Sequence, residues 1–142
     1  MATERGSMAA DLDLHVMAVD AAARARDREH LNELVPISEE AAKRANHELY
    51  IAVARRARGI KHRIDGEIDQ AADQLSGAAD EFRALDTPWQ IGRTLLELGE
   101  VERDRGHTDR AKEYLSEAIE AFVGLGAVPY EERARSALES IG

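Results

Sequence analysis

Cysteine is absent from the 142-residue sequence, which excludes disulfide staples, thiolate zinc sites and cysteine nucleophiles. Aromatic side chains make up only 4%, leaving little for base-stacking platforms or aromatic cofactor pockets. There are three prolines, and no run of alternating Val, Ile and Thr reads as a strand. No stretch approaches the roughly 20 consecutive apolar residues of a membrane span. No long apolar segment follows the N-terminus as a secretory signal would, so cytoplasmic residence is the expectation. Positive charge is in deficit: 19 Lys plus Arg face 28 Asp plus Glu, for a net charge of −9. That balance argues against nucleic acid and anionic membrane surfaces as partners.

What is present favours helix. The hydrophobic set is 44% and charged residues are 33%, and much of the former is Ala, the residue that loses least on entering a helix. Charge is uneven along the chain. Residues 1–66 carry 11 basic and 11 acidic side chains, whereas residues 67–142 carry 8 and 17. The second half therefore holds the whole net charge, either as a solvated surface or as a face for a basic partner.

An internal repeat organises the sequence. GEIDQAADQLSGAADEFRAL from Gly66 and GHTDRAKEYLSEAIEAFVGL from Gly106 align without a gap at an offset of 40. Gly66/Gly106, Asp69/Asp109, Ala71/Ala111, Leu75/Leu115, Ser76/Ser116, Ala78/Ala118, Phe82/Phe122 and Leu85/Leu125 are identities, as is the upstream pair Gly59/Gly99. A fixed period of this length marks a helical array. Ala71, Leu75, Ala78, Phe82 and Leu85 follow one another at the 3–4 spacing of an apolar helix stripe. Gly66 and Gly106 sit where the chain must reverse. The stripes of the preceding helices, residues 48–64 and 89–105, fit an offset of 41 slightly better, which leaves their register open by one position.

The remaining segments complete the plan. Residues 1–8 read as a tail. A helix over 9–26 carries Leu12, Val16, Val19 and Ala23 on one face, and Asp27-Arg28 marks a turn. The next helix contains Pro36, which either kinks it or begins a new one. Val128-Pro129 breaks the chain before a closing helix over 130–141. Its Glu131, Glu132, Arg133, Arg135 and Glu139 would form the solvated outer face of a terminal cap. The expected fold is all-α: a right-handed α–α superhelix of three antiparallel hairpins, 9–47, 48–86 and 89–126, plus that helix.

The segment LLELGEVERDRGHTDRAKEYLSEAIEAFVGLG resembles a tetratricopeptide repeat. The small residue of the family's first helix matches Gly99, its turn glycine matches Gly106, its second-helix alanines match Ala111 and Ala118, and the bulky position is Leu115. Gly59, Gly66, Ala71, Leu75 and Ala78 match in the same way. The period near 40 exceeds the family's usual 34 and implies longer helices. The family's Trp and Tyr positions in the first helix are not kept. Long-helix arrays of this kind resemble the C-terminal repeat regions of large bacterial signalling and transcriptional regulators. The resemblance implies a non-enzymatic protein- or peptide-binding scaffold without cofactor.

No motif for chemistry competes with that reading. His15, His30, His47, His62 and His107 form no His-Glu-x-x-His pattern, no phosphate-binding glycine loop is present, and no serine has a nucleophile-elbow context. Neither catalytic nor metal-ligating residues are assigned. One run stands out, RRARGIKHR over 55–63, cationic in an acidic chain. On the register of the resembled family, Arg56, Ile60 and Arg63 of one repeat line a concave groove with Arg93, Leu96, Glu100 and Arg103 of the next. There they would grip an acidic peptide through bidentate guanidinium contacts. Otherwise these arginines pair with the chain's own carboxylates. A second possibility is a homo-oligomerisation or regulatory module of a signalling protein, for instance a homodimer built on the uncapped apolar face of Leu12, Leu14, Val16, Met17 and Val19.

Overall fold

A computed structural model describes residues 2–141, with side chains from residue 11 onward. Seven helices follow one another: α1 (Ala2–Arg24), α2 (Arg28–Arg44), α3 (Glu48–Ile64), α4 (Ile68–Ala84), α5 (Pro88–Asp104), α6 (Thr108–Leu125) and α7 (Val128–Glu139). No strand occurs among the described residues. The helix drawn as starting at residue 9 runs back to Ala2, over the segment read as a tail. Pro88 and Pro129 do not break the chain. Each stands in the first turn of its helix, where a missing N–H costs nothing and a fixed φ is already helical. Pro36 neither ends nor restarts α2. It lies on the exposed side beside exposed Asn32, whose carbonyl, freed by the missing N–H, can be served by water.

The turns reveal a period shorter than the 40-residue repeat. Left-handed residues recur at Arg26, Asn46, Gly66, Asp86, Gly106 and Gly126. Each donates its N–H three residues back, and the next residue donates five back, as in Gly66 N to Arg63 O (3.1 Å) and Glu67 N to His62 O (2.8 Å). These bonds satisfy carbonyls that the helix end leaves unpaired. The carbonyl of that next residue then accepts the first bond of the following helix, as in Ala71 N to Glu67 O (3.0 Å). One turn geometry is thus reused at every corner, and the unit is a helix plus turn of 20 residues.

Packing fixes the register at 40. A Cβ placed on Gly59 would stand 2.7 Å from Leu75 Cγ, and one on Gly99 would stand 2.7 Å from Leu115 Cγ. Each glycine therefore lets the second helix of its own hairpin seat a leucine against bare backbone. Phe82 and Phe122 are both fully buried. The turn pairs repeat as well, with partners exchanged: His62 Nδ1 meets Glu67 Oε1 at 3.0 Å, and forty residues on Glu102 Oε2 meets His107 Nδ1 at 2.6 Å.

Each helix packs on the next, and the odd-numbered helices also touch in the order α1, α3, α5, α7. The even-numbered helices stand farther apart, and α4 and α6 meet through the long side chains of Arg83 and Glu117 at 2.7 Å. The array therefore curves with α1, α3, α5 and α7 on its inner side. No helix among the described residues is long and apolar enough to cross a membrane.

Candidate functional site: the arginine-lined inner face

The seven groove residues expected from the sequence lie on the inner helices, at different depths. Ile60 and Leu96 are buried in the core. Arg56 is 1% exposed, and Arg93 is nearly as enclosed. Glu100 is buried, whereas Arg63 and Arg103 keep about a quarter of their side chains in solvent. The open groove expected at Arg56, Ile60, Arg93 and Leu96 is therefore closed. The C-terminal half of α1 brings its own carboxylate across them.

That carboxylate is Asp20. Arg93 binds it through two bonds, Nη2 to Oδ1 at 2.9 Å and Nη1 to Oδ2 at 3.2 Å, and Arg56 Nη2 reaches Oδ1 at 3.2 Å. Arg24 approaches from its own helix at 3.4 Å. Arg56 Nη1 also donates to Thr94 Oγ1 and the Gln90 carbonyl, and the guanidinium sits 4.9 Å from the centre of the Phe82 ring. One aspartate thus fastens α1 to α3 and α5.

A second cluster lies beside it. Glu97 takes Arg26 at 2.6 Å and Arg133 at 3.2 Å. Glu100 takes Arg133 at 2.6 Å and Arg63 at 2.9 Å, and Arg63 continues to Asp104 at 3.1 Å. Arg103 ends this chain on Asp104 and Ser140. Arg133, expected on the solvated outer face of the closing helix, instead turns inward and ties α7 to α5. The rest of the cationic run is internally paired too: Arg55 with Glu81, Arg58 with Glu39 and Lys61 with Asp65.

The electrostatics follow from this crowding. Burial works against the Asp20 carboxylate, but the hydrogen bond from Arg93 and the charges of Arg56, Arg93 and Arg24 outweigh it and hold its pKa below the ordinary value. Glu100 behaves likewise: burial is overcome by Arg133 and Arg63. Burial and the neighbouring Arg93 push Arg56 down to about 10 despite Asp20, which leaves it a cation at neutral pH.

Sequence reading did not single out Asp20, Glu97 and Arg24. The signal for Asp20 was present, because an offset of 40 puts it in register with Ile60 and Glu100 and puts Arg133 in register with Arg93. Among the described residues no group of three or more His, Asp or Glu side chains is placed to hold a metal ion. Neither any protein-family model nor any curated protein matches the sequence.

Proposed function

We propose that this chain is a non-enzymatic protein- or peptide-binding scaffold of tetratricopeptide type, and that its inner face grips an acidic segment. The observation that carries the reading is the row of arginines that α3, α5 and α7 present to one side of the array. Guanidinium forks favour carboxylates, and Arg63 and Arg103, though paired with Glu100, Asp104 and Ser140, keep about a quarter of their side chains exposed at the rim, where an incoming carboxylate could compete for them. The test uses a dye-labelled Glu-rich peptide and its Lys-rich counterpart, followed by fluorescence anisotropy. The acidic peptide binds, more weakly as salt rises, and an Arg63→Ala, Arg103→Ala variant loses about tenfold in affinity, as expected for charged hydrogen bonds. Equal binding of the two peptides, or of neither, overturns the reading.

A second reading is self-association, and one observation favours it. Leu14 and Met17, one turn apart on α1, are 63% and 69% exposed, in the half of the chain that carries no net charge. A two-fold pairing of these faces would bury them without bringing the acidic halves together. Light scattering that finds a strict monomer across the micromolar range removes this reading.

A further inference from the structure

Among the described residues, Asp20 is the one carboxylate that serves Arg24, Arg56 and Arg93. One negative charge against three positive ones leaves an excess of two, in a protein whose net charge is −9. Counting Glu97 and Arg133, which line the same space, four arginines still face two carboxylates; Arg56 and Arg93 are buried, Arg24 and Arg133 reach solvent, and a further anion would balance the cluster. The same place has unfilled space. A cavity of about 50 Å³ is lined by Arg24, Arg56, Arg93, Arg133, Tyr130 and Glu97, among others. A water needs roughly 10–15 Å³ on this measure, so the cavity has room for a few waters or one small ion.

Two atoms of the lining residues lack partners, and they are complementary. Arg56 Nε is a buried donor without an acceptor, and Glu97 Oε2 is a buried acceptor without a hydrogen-bond donor. A neutral water could join them but would leave the positive charge unmatched. A fully deprotonated anion would answer the arginines and be repelled by Glu97. An anion that still carries a hydroxyl hydrogen satisfies both, accepting from the guanidiniums and donating to the carboxylate. We propose that this cavity is a binding site for a small protonated oxyanion, of which hydrogen phosphate is the representative. The inference is independent of whether the inner face also holds a peptide.

The single tryptophan supplies the readout. Trp89 lies with its ring 5.8 Å from the Arg93 guanidinium and 5.0 Å from the Tyr130 ring, so an ion among these residues alters its fluorescence. The full chain is titrated with phosphate, sulfate and chloride at matched ionic strength. Phosphate gives a saturable change, with sulfate at least about tenfold weaker, as the loss of one charged hydrogen bond implies, and chloride gives none. Arg24→Ala weakens phosphate by about the same factor. Arg24 is half-exposed and holds a single ion pair, so this variant folds. Phosphoserine tested in parallel separates a site for the free ion from one for a phosphoryl group on a larger molecule: binding of inorganic phosphate alone identifies the first, and binding of both the second. A response to phosphate that matches sulfate or chloride, or that never saturates, shows that the cavity selects no protonated oxyanion and overturns the proposal. So does an unchanged phosphate affinity in Arg24→Ala.

Discussion

At the scale of single residues, the corners of the array show how much the sequence tolerates. Three of the six turn positions hold glycine, and three hold Arg26, Asn46 and Asp86 with φ of 56°, 51° and 52°. Asn and Asp accept the left-handed region better than most residues because their short side chains bond locally. Arg has no such excuse, but Arg26 gains an ion pair with Glu97 across the inner face. Asp86 is exposed and has no ion pair among the described residues. Asp86→Gly should therefore relieve backbone strain and raise stability by about 1 kcal/mol, measured by urea denaturation. Arg26→Gly relieves the same strain but removes the pair with Glu97, so its gain should be smaller or absent. If both substitutions stabilise equally, the Arg26–Glu97 contact contributes nothing.

At the scale of helix pairs, glycine has a different purpose. Gly59 and Gly99 lie mid-helix with ordinary backbone angles, where Ala would be the better helix former by about 1 kcal/mol. Propensity alone predicts that Gly59→Ala and Gly99→Ala stabilise. The structure predicts the opposite, because a methyl there meets Leu75 or Leu115 at 2.7 Å, and overpacking of this kind typically costs about 1–3 kcal/mol. Both variants should lower the denaturation midpoint, and pairing Gly99→Ala with Leu115→Ala should recover part of the loss. Failure of Leu115→Ala to rescue would mean that the loss does not arise at the Leu115 contact. This contact also explains what the sequence made legible. Helix pairs, corners and the 40-residue spacing were readable because Gly59, Leu75 and Phe82 recur as a set in Gly99, Leu115 and Phe122. The register of α3 against α5 was not, because the inner helices carry ion-network residues where a simple apolar stripe would be expected. Arg56 aligns with Leu96, and Ile60 with Glu100.

At the scale of the whole molecule, the inner face is an ionic clasp that spans the array. Asp20 fastens α1 to α3 and α5, and Glu97 and Glu100 join α3, α5 and α7. The sequence exposed the cationic half of this clasp and hid the anionic half. Five cations within nine residues are conspicuous, whereas Asp20, Glu97 and Glu100 stand singly in unlike segments and meet only through folding. The clasp gives stability a defined dependence on pH. Asp20 and Glu100 have folded pKa values below their ordinary 3.8 and 4.5. Their contribution is therefore complete above those ordinary values and is lost as pH falls through the lower, folded ones. The share of stability that Asp20 and Glu100 contribute should hold level from neutrality to about pH 5 and then fall steeply below about pH 4, where protonation releases Arg56 and Arg93 from Asp20. Asp20→Asn separates this clasp from general acid unfolding. At neutral pH it should cost about 3–5 kcal/mol, because Arg56 then stays buried without a counter-charge, and the acid-dependent part of the loss should shrink. Chemical denaturation at pH 7 and pH 4 measures both effects. Equal pH dependence in the variant and the parent chain would show that Asp20 does not hold the array closed.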